Sequence, residues 1–129
     1  MFDKRPPAVG KGVGGNETDS HSRRLFLRAN VAIDAEYSAQ GREGFRKGTI
    51  QTLGGGGLRF ATDEDLATST LVTLHFKLPS GADVRAQARV VLSFFDAQDK
   101  RFSHGVAFTQ IDADHQVEIV AIISKLIEN

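Results

Sequence analysis

Three arginines crowd one short segment of this chain, Arg23-Arg24-Leu25-Phe26-Leu27-Arg28, and a glycine run follows one hairpin later in Thr52-Leu53-Gly54-Gly55-Gly56-Gly57-Leu58-Arg59-Phe60. Guanidinium is planar, charged and forked, so it pairs bidentately with phosphate oxygens or with O6 and N7 of guanine, and its face stacks on a base. Lysine would bring charge without that geometry. Glycines lack a Cβ, so a backbone built of them approaches a ligand closely and can aim amides at an anion. Together the two segments suit a compact, flat, doubly charged ligand. Each has a plainer reading when taken alone: arginines flanking a strand form a solvated edge that discourages aggregation, and a glycine run makes a flexible hairpin or bulge. No Gly-Lys-Ser or Gly-Lys-Thr follows the glycines, which excludes a Walker loop.

The remaining polar residues offer less. His21, His75, His104 and His115 show no His-x-x-x-His or Glu-x-x-His spacing, so the sequence expects each to be solvated or hydrogen-bonded rather than ligating a metal. Asp63, Glu64 and Asp65 form an acidic cluster expected in a solvated turn, with nothing to bury one carboxylate for acid–base work. No elbow motif frames a serine nucleophile. The absence of cysteine removes disulfides and thiolate metal or redox sites. These absences together predict a chain that is not an enzyme.

The elements that must position the arginines and glycines are strands. Of 129 residues, 1–22 carry Pro6, Pro7 and the glycine-rich stretch Gly10 to Gly15 without apolar periodicity, which predicts a mobile tail before a single domain over 23–129. Val31, Ile33, Ala35 and Tyr37 alternate with Ala32, Asp34 and Glu36, as in a half-buried strand. Further strands are expected over 45–53 and 58–61, with 62–70 as a loop or brief helical turn. Val72, Leu74, Phe76 and Leu78 stop at the turn Pro79-Ser80-Gly81. Val84, Ala86, Ala88, Val90, Leu92 and Phe94 then keep period two, a length typical of a curved barrel strand, and Phe102, His104, Val106 and Phe108 form one face of the last strand. Asp112-Ala113-Asp114 can cap a helix whose apolar stripe runs through Ile119, Ile122, Ile123 and Leu126, widened by Val120 and Ile127. Hiding both apolar surfaces predicts a mainly β fold, a small antiparallel barrel of about six strands with a C-terminal helix packed on it. The 16 basic residues equal the 16 acidic ones, so no global field holds long nucleic acid. No run reaches membrane-spanning length, which argues against membrane insertion, and the start lacks a signal-peptide core, which places the chain in the cytoplasm.

Arg24-Leu25-Phe26-Leu27-Arg28 fits an Arg-x-x-x-Arg motif with Arg23 as an additional arginine before it, Gly56-Gly57-Leu58-Arg59-Phe60 looks like the end of an Asp/Asn-x-Ser-x-x-Gly motif, and Gly105-Val106-Ala107-Phe108 is similar to a closing strand. In these segments the chain resembles the PilZ domain family from about Arg23 to Leu126. The resemblance implies a six-stranded barrel and a receptor for the bacterial second messenger cyclic di-GMP, needing no cofactor besides that ligand and signalling to an unknown downstream protein. It also implies roles: Arg23, Arg24 and Arg28 grip phosphates and guanine edges, Thr52 adds a polar contact, and Gly54, Gly55, Gly56 and Gly57 give the ligand room. The second motif departs from pattern, because, anchored on Gly57, its Asp/Asn position is Thr52 and its Ser position is Gly54. Two lost side-chain hydrogen bonds at about 0.5–1.5 kcal/mol each weaken binding by roughly 5- to 150-fold. That departure keeps open an adaptor in motility, pilus or polysaccharide control that has lost the nucleotide.

Overall fold

The computed structural model describes residues 27–128, so the expected tail over 1–22 and the two arginines Arg23 and Arg24 lie outside the described residues. The alternating segments form β1 (Arg28–Ala39), β2 (Arg46–Gly54), β3 (Gly57–Thr62), β4 (Leu71–Lys77), β5 (Asp83–Asp96) and β6 (Arg101–Ile111), followed by one helix, α1 (Ala113–Glu128). Every neighbouring pair is antiparallel, and the order β1-β2-β3-β6-β5-β4 closes into a barrel through pairing of β4 with β1. Closure satisfies backbone groups that an open sheet would leave at its edges. Ala35, Tyr37, Ile50, Leu53, Phe60, Leu74, Val84 and Val90 point inward and fill one core, while Asp34 and Glu36 point out, as the alternation requires.

The helix closes one end of this barrel. Asp112 is its cap: Oδ1 accepts the Asp114 amide at 2.8 Å, and the Asp112 carbonyl accepts from Gln116 at 3.0 Å. Ile119 and Ile123 are fully buried, and the Ser80 hydroxyl in the β4–β5 turn donates to Glu118. Leu126 and Ile127, expected in the buried stripe, are 49% and 47% exposed because the last turn has passed the barrel rim. The loop from Asp63 to Thr70 crosses the opposite end and drops Leu66 into the core. Among the described residues no helix is long and apolar enough to cross a membrane.

Strand β5 departs from its expected alternation. Its register against β6 shifts between Val90 and Leu92, the signature of a β-bulge in which one extra residue flips all that follow. Ser93 therefore turns inward toward His104, and Leu92 and Phe94, expected on the buried face, are 53% and 42% exposed.

Candidate functional site

Arg28 opens β1, is exposed, and stands opposite Gly54 at the end of β2. The two sequence motifs thus meet across one strand pair, at the end that α1 covers. Gly54 makes this approach possible: a Cβ there would sit 2.9 Å from the Leu27 carbonyl oxygen and 3.2 Å from Cγ of Arg28. A serine at this position, as in the family pattern, would have to push back the backbone that carries Arg28. The rest of the glycine run is gripped by protein on three sides. The Gly55 carbonyl accepts from Nε2 of Gln116 at 2.8 Å, the Gly56 carbonyl accepts from the Phe108 amide at 2.9 Å, and a Cβ on Gly57 would run into the Val106 carbonyl. At Gly56, by contrast, an added methyl would find open space.

Thr52 is half-buried, with Asn30 of β1 on one side and Arg59 of β3 on the other. Arg59 in turn stands opposite Gly105 of β6, and Gly105 opposite Leu92 of β5. This row runs across the outside of the barrel, beside Arg28 and Gly54. Arg59 was not singled out from sequence, yet it is the member whose chemistry is incomplete: its Nε is buried and has no hydrogen-bond partner among the described residues. A buried donor without an acceptor costs about 1–3 kcal/mol, so the position favours an incoming acceptor oxygen or ring nitrogen. The available signal was its spacing, two residues after Gly57, which places both outward on the same strand. Arg23 and Arg24, the other expected contacts, lie outside the described residues.

Asp63 and Asp65 are exposed, as a solvated turn requires, and Glu64 alone departs from that expectation. Glu64 is only 18% exposed at its side chain, accepts a hydrogen bond from the Tyr37 hydroxyl, and pairs with Arg42 and, at 3.3 Å, with Arg46. Burial inside the barrel raises the Tyr37 pKa, so its proton stays available for this bond. Beside it, fully buried His104 has Nε2 3.1 Å from both the Thr62 hydroxyl and the Glu64 carbonyl, and Nδ1 3.2 Å from the Ser93 hydroxyl, which itself donates to Asp65 at 2.9 Å. Burial pushes the His104 pKa down despite the opposing pull of Asp65. The serine bridges histidine and aspartate, so Asp65 reaches the ring through the Ser93 hydroxyl and not directly. This network joins the crossing loop to the barrel, and the arginines that gather Glu64 stand on the β1–β2 turn and at the start of β2, far from it in sequence.

An open groove of about 680 Å³ lies elsewhere on the outer wall, over β1, β2 and β4. Its lining mixes Asp34, Glu36 and Asp83 with Lys47, Lys77 and Arg101, and His75 sits 3.7 Å from both Glu36 and Asp83 on opposite ring nitrogens. Neither Arg28 nor Thr52 nor Arg59 reaches it. Among the described residues no three histidine or carboxylate groups converge as a metal site.

Comparison with solved structures finds the same barrel. The Bacillus subtilis inhibitor of motility MotI/DgrA superposes with a TM-score of 0.71 at 15% identity, over 80% of this chain and 50% of that one. The complex of MrkH from K. pneumonia with c-di-GMP gives 0.63 at 14% identity, over 78% and 49% of the two chains. The PilZ domain of YcgR from Escherichia coli with c-di-GMP gives 0.61 at 11% identity, over 82% and 92%. The chain thus spans about half the length of the first two and nearly all of the third. No curated protein matches the sequence. The PilZ domain family matches residues 22–125, which takes in the arginine segment, all six strands and most of α1. On that match and that barrel, the chain belongs to the PilZ domain family.

Proposed function

We propose that this protein is a non-catalytic cytoplasmic receptor for cyclic di-GMP. The observation that carries the reading is the meeting of Arg28 with Gly54 beside a row in which Arg59 holds a buried, unpartnered Nε. Arg28, with Arg23 and Arg24 from the preceding segment, grips phosphates and guanine edges through bidentate, charge-assisted bonds. Thr52 adds a hydroxyl contact, Arg59 donates its free Nε–H, and Gly54 to Gly57 keep side chains out of the ligand's way, with open space at Gly56. Two ligand phosphates neutralise arginines that otherwise repel, so the N-terminal arm folds over the barrel and changes the surface a downstream protein sees. No proton transfer or bond cleavage is required of the protein. Titration calorimetry tests this: heat is expected on addition of cyclic di-GMP, and no heat at hundreds of micromolar ligand removes the reading. Arg28→Ala should cost about 1.5–3 kcal/mol, roughly ten- to 150-fold in affinity, if its phosphate bond is charge-assisted.

One observation favours a second reading, an adaptor of the same fold that no longer binds the nucleotide. The family's serine position is Gly54, and the Leu27 backbone lies too close for a side chain to be restored there. Thr52→Asp, which restores the other motif position without touching that contact, distinguishes the two. Tighter cyclic di-GMP binding in this variant supports a weakened receptor, and a variant as silent as the wild type supports the adaptor.

A further inference from the structure

The turn between β2 and β3 is held by its neighbours rather than by itself. It consists of Gly55 and Gly56, of which Gly55 is buried and Gly56 exposed. Among the described residues neither amide donates a backbone hydrogen bond, whereas both carbonyls accept one: Gly55 from Nε2 of Gln116 at 2.8 Å, and Gly56 from the Phe108 amide at 2.9 Å. The Phe108 bond prolongs the β3–β6 ladder one step beyond Gly57 opposite Ala107. The Gln116 bond is of another kind, because a side chain of α1 supplies it from 61 residues away in sequence. Gln116 is itself fixed in the first turn of the helix, where its amide donates to the Asp112 carbonyl at 3.0 Å and Asp112 caps the helix through the Asp114 amide. Both anchors of the turn therefore belong to one short stretch, the end of β6 and the start of α1.

A planar trans peptide points its C=O and its N–H in opposite directions. The peptide joining Gly55 to Gly56 presents its carbonyl to α1, so its N–H, the Gly56 amide, points away from α1. It does so on the exposed residue of the turn, where nothing lies within 4 Å of an added Cβ. Glycine on both sides makes this orientation reversible. With no Cβ to obstruct it the peptide can rotate by half a turn, and a carbonyl oxygen then stands where the amide stood. An amide there attracts a ligand oxygen, and a carbonyl repels it. We infer that Gln116 is a positioning residue for the ligand: it locks the Gly55–Gly56 peptide in the orientation whose Gly56 amide donates to a phosphate oxygen or guanine O6 of the bound nucleotide. Glutamine suits the task, since its side-chain nitrogen only donates and, being uncharged, does not compete with the arginines for phosphate. This inference rests on the receptor reading above.

Two variants of similar length remove the donor and differ in charge, Gln116→Met and Gln116→Glu. Calorimetry with cyclic di-GMP near neutral pH should find Gln116→Met about three- to tenfold weaker than wild type. Gln116→Glu should fall further, roughly tenfold or more, because its carboxylate also repels the Gly55 carbonyl. A pH profile separates this role from general loosening of the fold. An unperturbed glutamate titrates at about 4.3, and only its protonated form can donate to the carbonyl. Affinity of Gln116→Glu relative to wild type should therefore recover as pH falls from about 8 to about 5, while that of Gln116→Met stays level. NMR of the ligand-free proteins reads the peptide itself: Gln116→Met should move the Gly55 carbonyl and Gly56 amide resonances and change the Gly55 Hα to Gly56 HN cross-peak, with the core residues Ile119 and Ile123 unmoved. Equal affinity in all three proteins, parallel pH curves for the two variants, or unmoved Gly55 and Gly56 signals would each overturn the inference. Failure of the receptor reading looks different: the wild type then gives no heat, which removes Gln116's role toward the ligand with it, whereas a binding wild type and equally binding variants remove the inference alone.

Discussion

The two ends of the barrel are closed by different physics. At the helix-covered end, Gly54 and Gly57 press backbone against the Leu27 and Val106 carbonyls, and Gln116 of α1 reaches the Gly55 carbonyl. At the opposite end, side chains do the closing: Glu64 gathers Tyr37, Arg42 and Arg46, while His104 ties Thr62 and Ser93 to the crossing loop. The first end is specified by shape, so it is intolerant of added atoms and indifferent to pH. The second is specified by titratable groups, so it tolerates isosteric change and responds to proton and salt concentration. The candidate ligand site belongs to the first end, where its geometry is set by contacts that no screening weakens.

The largest effect should come from breaking the first end. Gly57→Ala drives a methyl into the Val106 backbone, which cannot rotate away as a side chain could, and a loss of about 3 kcal/mol or more is expected. Urea unfolding monitored by circular dichroism measures it, and a midpoint equal to wild type would show that β3 and β6 part easily. At the second end Glu64→Gln keeps the shape and removes the charge. Arg42 and Arg46 are about half exposed, so their share is screened, and the expected loss is about 1–2 kcal/mol, carried mainly by the Tyr37 bond. The wild-type advantage over this variant should shrink in molar salt, whereas the Gly57→Ala deficit should not move.

Smaller again is a pH effect at His104. Its folded pKa lies below the unfolded value of 6.5, so the unfolded chain binds more protons between the two, and folded stability falls as pH drops through that window. The stabilisation is complete above about pH 6.5 and is lost on acidification toward the folded pKa. Urea midpoints from pH 8 to pH 5 should decline for the wild type and decline less for His104→Asn. Parallel curves would mean that the imidazole titrates freely and does not hold the loop.

Much of the first end was legible in the sequence, and little of the second. Period-two alternation gave the strands, Pro79-Ser80-Gly81 gave a hairpin, and Asp112 gave the cap, because each signal is local to a few residues. Arg28, the one motif arginine among the described residues, stands opposite Gly54 across β1 and β2. Arg59 escaped notice because its unpartnered Nε depends on burial by other strands. Glu64 looked like one of three solvated acids because the arginines that gather it stand on the β1–β2 turn and the start of β2. The bulge at Val91 was invisible for a further reason: Val-Val-Leu-Ser-Phe-Phe satisfies alternation in either register, so only pairing with Gly105 decides which face turns inward.

The smallest effect on stability separates the two roles a glycine run can have. Gly54 and Gly57 are required by the fold, whatever they do for a ligand, so their variants cannot report on binding alone. Gly56 is different: nothing lies within 4 Å of an added Cβ, and its backbone does not occupy the left-handed region. Gly56→Ala should therefore leave the fold intact and raise its stability by about 0.4–1 kcal/mol, since alanine has fewer unfolded conformations to lose. Thermal melting should show a rise of a few degrees in Tm. In the receptor reading the same methyl enters the space left for cyclic di-GMP, so calorimetry should find weaker binding in a more stable protein. Higher Tm with undiminished affinity would confine the ligand to the arginine side of the hairpin and leave the glycine run a purely structural device.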